Sequence, residues 1–244
     1  MIVYWCPYIT DTEGFYLNYE KPKPSIKTLS KLYHNISNKQ NQSNNFLKCF
    51  SVVNYYKNVF SLSSPINLSF QWTKRDLVTF NYNQDFYNKF IHIRDLNSGL
   101  ISFYCFRILL FAEDDLEMEL MPATLENNDF VNNTTIISGS YNIGRWFRPI
   151  DTTFFIKSQS VDKKICINEK DNLLYLKFKT NQDIEFKKFY LSDDIKKIVM
   201  HSLNHKNYMS DKNLKTYMKT IYDYFTESKT KNYLIKLINK NLME

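Results

Sequence analysis

Residues 100–112 read LISFYCFRILLFA, a run in which Arg107 is the one charged side chain. No other part of the chain restricts the fold so tightly. The run is too short to cross a bilayer as a helix, which takes about 20 apolar residues. Its aromatic and β-branched side chains favour a strand. Extended, it would put Phe103, Cys105, Arg107, Leu109 and Phe111 on one face and Tyr104, Phe106, Ile108 and Leu110 on the other. Both faces are apolar, so the expectation is one central strand covered on each side. A guanidinium on such a face is costly to bury without a carboxylate or several carbonyls. Arg107 is therefore expected to be ion-paired, or to point into a polar pocket as a ligand-binding residue.

The flanking pattern extends the strand reading. LEMELM alternates Leu116, Met118 and Leu120 with Glu117 and Glu119, as a half-buried strand does, and the acidic residues 113–115 form the turn before it. Further strands are expected at 2–8, 66–72, 77–82, 87–93, 134–141, 145–150, 152–157, 164–168, 172–179 and 183–190. Short, closely spaced strands with polar turns and no alternating helices predict an antiparallel β-sandwich or jelly roll. Near the N-terminus, Ser25 is a cap candidate for a short helix, and the polar stretch 35–45 reads as a surface loop. Beyond Leu191 the apolar period becomes helical in three blocks, from Ile195, from Leu214 and from Tyr233. Ser192, Ser210 and Ser228 are the cap candidates there. The expected organisation is mainly β with an α-helical C-terminal appendage (α+β): a core over 1–190 and a three-helix tail over 191–244.

Composition and charge narrow the chemistry. The formal net charge is +7, and all ten basic residues of the tail are lysines. Proteins that read bases favour arginine forks, so nucleic acid is not the expected partner. Binding through the Lys-rich C-terminal helices stays as an alternative. Abundant Lys, Asn, Ile, Tyr and Phe with only 4 Gly is the bias of an AT-rich coding sequence, so single Asn or Lys residues carry no functional signal. Cys6, Cys49, Cys105 and Cys166 lack metal or redox spacing; three of them, Cys6, Cys105 and Cys166, sit in apolar contexts, and buried free thiols of a reducing compartment are expected. The N-terminus has no positively charged leader segment, so a soluble intracellular protein is expected.

His201 and His205 stand four apart without the glutamate of a zinc-protease helix, and read as a solvated face. His92 and Asp95 are three apart and would fall on opposite faces of a strand. Glu117 and Glu119 read as a solvated edge. No phosphate-cradling glycine loop or nucleophile elbow is present. No cofactor, metal or catalytic residue is expected, and the chain is read as leaning away from an enzyme. Its one concentration of recognition-type side chains is GRWFRPI, residues 144–150. The favoured reading is a packed corner. Gly144 supplies an unusual backbone, Trp146 and Phe147 face opposite ways, Pro149 precedes a new strand, and Arg148 stacks on Trp146 or forks to Asp151. The competing reading makes Arg107, Arg145, Trp146 and Arg148 a ligand-binding surface.

Four pieces, EKPKPSIKTLSKLYHN, FLKCF, LLFAEDDLEMELMPA and GSYNIGRWFRPID, resemble an uncharacterised family of tailed-phage proteins found in marine myoviruses. The last piece is the most specific. The chain departs from that family at Leu32-Tyr33, where the family carries a Trp-aromatic pair. The resemblance covers roughly residues 20–190 and implies a jelly-roll or cupin-like core and a bacteriophage origin. It implies no activity. A viral structural or host-interaction protein is expected, in the infected host cytoplasm or the virion, with other phage or host proteins as partners and no membrane. A cupin-like small-molecule binder or metal-dependent enzyme is the alternative.

Overall fold

The computed structural model describes residues 1–9, 15–40, 49–73, 76–208, 225–226 and 229–243, with backbone alone at 35–40 and 205–208. Its strands are β1 (Ile2–Pro7), β2 (Lys23–Pro24), β3 (Val59–Ser63), β4 (Leu68–Trp72), β5 (Leu77–Thr79), β6 (Ile91–Asp95), β7 (Leu100–Phe103) and β8 (Ile108–Phe111). Then follow β9 (Glu117–Pro122), β10 (Thr134–Ile136), β11 (Gly139–Asn142), β12 (Thr153–Ile156), β13 (Lys164–Ile167), β14 (Asn172–Phe178) and β15 (Glu185–Lys188). The helices are α1 (Ile26–Gln40), α2 (Phe50–Tyr55), α3 (Gln84–Phe90), α4 (Asp129–Asn133), α5 (Asp193–Tyr208) and α6 (Thr230–Lys240). The chain is mainly β with several antiparallel sheets and some helices.

Four sheets have the orders β15-β1-β8, β10-β12-β7-β6, β11-β9-β14-β3-β2 and β13-β4-β5. All of them send side chains into one core, among them Trp5, Phe70, Phe103, Leu120, Phe154 and Leu176. The expectation of antiparallel pairing throughout fails at one place. β1 and β15 run parallel, with Ile2 beside Glu185 and Trp5 beside Lys188. No hairpin joins these two strands, so no turn dictates their sense.

The apolar run 100–112 is not one strand. β7 and β8 lie in different sheets, and residues 104–106 between them form a 3-10 turn closed by Arg107 N–H on the Tyr104 carbonyl. A strand of that length would reach about 43 Å, against the usual 17–20 Å. Breaking it lets Cys105 and Phe106 both enter the core. Cover on both faces holds for β8: Ile108 and Leu110 face the main core, while Leu109 and Phe111 face the helical tail. β1 alternates likewise, with Val3 and Trp5 one way and Tyr4 and Cys6 the other.

Other expectations are corrected. Residues 87–90 are helix: the Asn83 side chain accepts from Phe86 N–H, and Phe86 and Phe90, one turn apart, are both buried. Only 77–79 of the span 77–82 is strand. The span 134–141 divides between β10 and β11, which belong to different sheets. Residues 145–150 are irregular rather than a strand. Residues 50–55, placed in the β region, form α2, and α4 is likewise a short helix among the strands. Residues 35–40, read as loop, continue α1, while 41–45 lie outside the described residues.

In the tail, α5 and α6 form where the helical period begins. The block from Leu214 and the caps Ser210 and Ser228 lie outside the described residues, apart from Phe225 and Thr226. Ile195, Val199, Phe225, Leu234 and Ile238 pack with Tyr4, Cys6, Leu109, Phe111, Phe147 and Phe189 on the outer face of β1 and β8. A third cluster joins Leu29 of α1 to Tyr56, Val59, Ala123 and Tyr175. No helix among the described residues is long and apolar enough to cross a membrane.

Candidate functional site

The segment 144–150 makes a corner where the chain passes from β11 to β12. Gly144 sits against the turn 113–115: a Cβ on it would lie 2.0 Å from the Asp114 carbonyl oxygen. Its φ is outside the left-handed region, so close approach of backbone demands the glycine, not the unusual dihedral the sequence suggested. Ile143 N–H bonds the Leu116 carbonyl at 2.9 Å, and the Ala112 N–H bonds the Ile143 carbonyl at 3.3 Å. Arg145 then pairs with Asp115 at 2.8 Å on the surface.

Trp146 and Phe147 are both buried. Phe147 meets Phe111 edge-on in the tail cluster, at 5.8 Å between ring centroids. Trp146 lies near Tyr141, and the Arg148 guanidinium stacks over its ring at 3.3 Å. Arg148 stacks on Trp146, one of the two partners foreseen for it, and Asp151 pairs with Arg107. Arg107 has thus gained the carboxylate that its place in an apolar run demanded.

Around Arg107 a second group of polar side chains gathers. Its guanidinium lies 3.3 Å from the Tyr104 ring centroid. From β6, Arg94 donates to Ser102 Oγ at 2.9 Å and to Tyr104 Oη at 3.2 Å, and reaches Asp151 at 3.9 Å. The His92 ring stacks on Tyr104 at 5.9 Å. Two guanidiniums therefore share one carboxylate, a local excess of one positive charge. Their side chains are 18% and 36% exposed for Arg107 and Arg94, respectively. Partial burial, then the charges of Arg94 and Arg107, hold His92 below the usual imidazole range, with Asp151 opposing them.

The four sequence candidates do not converge on one place. Arg145, Trp146 and Arg148 belong to the corner, and Arg107 belongs to the cluster with Arg94, Tyr104 and Asp151. His92, Arg94 and Tyr104 were not among the candidates. The available signal was the i, i+2 spacing in FIHIRD, which puts His92 and Arg94 on one strand face. Asp95 instead turns away into the β6–β7 loop, where it accepts from Asn97 N–H and Ser98 Oγ–H.

The remaining candidates resolve locally. Lys179 bridges Glu117 and Glu119 at 3.0 and 2.8 Å, and Glu113 accepts from Tyr4 Oη at 2.8 Å. The acidic pair is thus ion-paired as well as solvated. Burial and the hydrogen bond to Glu113 push the Tyr4 hydroxyl up to about 12. All four cysteines are free, but only Cys6 and Cys105 are buried. Cys166 is half-buried despite its apolar neighbours, and Cys49, which has no such context, is exposed. Burial pushes the Cys6 and Cys105 thiols up, whereas hydrogen bonds from Ser51 lower Cys49. His201 is exposed on α5, and the His205 side chain lies outside the described residues. Among the described residues no three His, Cys, Asp or Glu side chains gather as a metal-ligand set. Comparison of the chain with family models, curated proteins and solved structures finds no match.

Proposed function

We propose that this chain is a phage-encoded structural or host-interaction protein that works by docking rather than by catalysis. Its four sheets would form a two-layer sandwich of the jelly-roll kind, a reading supported by the single core they share. The observation that carries the functional reading is α2. None of its residues is buried, and Phe50 is 81% exposed beside the partly exposed Val53 and Tyr55. These side chains border a groove of about 580 Å³ lined by Ile26, Val59, Phe60 and Ile184. Apolar surface gathered in one place is characteristic of an interaction face.

The corner at 144–150 supports the same reading, because its arginines and tryptophan brace the fold. The test uses a phage that encodes the chain. Mass spectrometry of purified particles, paired with size-exclusion of lysate from infected cells, reports where the protein resides. Supporting results are its presence in particles, or co-elution with a host protein that is lost in the Phe50→Ser, Val53→Ser double variant. Absence from particles together with elution of the chain alone refutes the proposal. A cupin-like small-molecule binder is the second reading, favoured by the paired guanidiniums of Arg94 and Arg107.

A further inference from the structure

We infer that Arg94, Arg107, Tyr104 and His92 form a binding site for a phosphate monoester dianion, free or carried on a small molecule. The inference deepens the small-molecule reading and does not rest on the docking face at α2, so either can fail without the other.

The first support is unspent hydrogen-bonding capacity. Arg94 Nε and Nη2 are engaged by Ser102, Tyr104 and Asp151, and no partner among the described residues takes Nη1. Arg107 gives Nη2 to Asp151, and Nη1, unlike the buried Nε, is left for a ligand with no partner among the described residues. The Tyr104 hydroxyl accepts from Arg94 and keeps its own proton to donate. Neither ring nitrogen of the exposed His92 has a protein partner among the described residues. A guanidinium offers five donors, so each of these arginines keeps at least one that a ligand could take.

The second support is charge. Asp151 offsets one of the two guanidiniums and leaves a net of +1 at a half-open surface. Protonation of His92 would raise this to +2, which matches a phosphate dianion. A carboxylate ligand would need only the +1 and would be served by a single guanidinium fork. Four donors on side chains from β6 and from the β7–β8 turn suit a tetrahedral group better than a planar one.

The third support is rigidity. Tyr104 is packed by the Arg107 guanidinium at 3.3 Å and by the stacked His92 ring at 5.9 Å. Ser102, which orients Arg94, is itself bonded to Thr153 at 2.7 Å. The donors are therefore placed before a ligand arrives, which lowers the entropic cost of binding.

The test is a titration of the full chain at fixed ionic strength and pH 7, followed by NMR of the His92 ring and by calorimetry. Inorganic phosphate, ribose 5-phosphate and dimethyl phosphate are the probes. Inorganic phosphate should bind and move the His92 ring resonance toward its protonated position, whereas the diester should not. Tighter binding of ribose 5-phosphate than of inorganic phosphate would show that the group arrives on a larger molecule, and equal binding that it arrives free. Arg94→Gln, at an exposed position, should weaken phosphate about ten- to a hundredfold with the fold intact. Lys163→Gln, which removes the same charge from the turn before β13, should leave binding unchanged. The inference is overturned if inorganic phosphate leaves His92 unmoved, if dimethyl phosphate binds equally well, or if Arg94→Gln and Lys163→Gln behave alike.

Discussion

Gly144→Ala is the sharpest perturbation of the corner. At a position with ordinary φ, replacing glycine by alanine stabilises a protein by about 0.4–1 kcal/mol, because the unfolded chain loses freedom. Here the sign should reverse. The new Cβ would lie 2.0 Å from the Asp114 oxygen, 2.7 Å from its carbonyl carbon and 3.0 Å from the Asp115 Cα. Those are backbone atoms and cannot rotate aside. Relief requires the corner and the 113–115 turn to separate by about 1 Å, since carbon and oxygen touch near 3.2 Å. The Ile143–Leu116 and Ala112–Ile143 backbone bonds hold these two segments together. Losing both costs about 1–3 kcal/mol, and overpacking strain is of similar size. The net expectation is a loss of about 3 kcal/mol. In a chain this long that lowers the melting temperature by about 6–12 °C. Circular dichroism melts and urea titrations measure it. Gly139→Ala is the internal control, because the nearest atom its Cβ would meet is the Tyr141 hydroxyl oxygen at 3.4 Å. A Gly144→Ala protein as stable as wild type, or more stable, would refute the claim that close backbone approach shapes this corner.

Gly99→Ala should cost about 1–2 kcal/mol in the same melts, because Gly99 has φ +68° and its Cβ would lie 3.3 Å from Ile156 Cβ. Asp151→Asn should destabilise by about 1–3 kcal/mol through the uncompensated Arg107, a discounted figure because the pair is partly solvated. The same variant should move the His92 pKa further down, since Asp151 is the group that raises it, and an NMR pH titration reads that shift. A thiol reagent at neutral pH should label Cys49 first and leave Cys6 and Cys105 untouched until denaturant is added; labelling in any other order contradicts the assigned burial. Ile238→Ala, at a fully buried position of α6, should cost about 2–4 kcal/mol, while Tyr233→Ala on its exposed face should cost almost nothing.

Element type was legible wherever one face of an element meets one environment. LEMELM alternates because β9 has one covered face, and α5 and α6 carry a stripe because one side of each lies on β1 and β8. The run 100–112 misled for the opposite reason. A segment that is apolar everywhere has no period, so it does not record where the chain leaves one sheet for another. The turn at 104–106 is set by the distance between two sheets, a tertiary quantity. α3 hid differently: Asn83 and the Phe86–Phe90 pair are a helix signature, but seven residues followed at once by a strand blur into one pattern.

The candidate site divides along a similar line. Arg107 was visible in one dimension because a charge inside an apolar run breaks a rule, and a broken rule demands a partner. Arg94 breaks none: a charge in the mixed strand FIHIRD is ordinary. Its neighbourhood is created only when β6 pairs with β7 and brings His92 beside Ser102. Asp151 lies 44 residues from Arg107 and joins it only after the corner at 144–150 has turned the chain. The corner therefore serves the cluster without belonging to it. By seating Phe147 against the tail and Trp146 under Arg148, it delivers Asp151 to the two arginines. Loosening that corner should weaken the cluster at a distance, so Gly144→Ala should also shift the His92 resonance, though it touches none of the side chains around it.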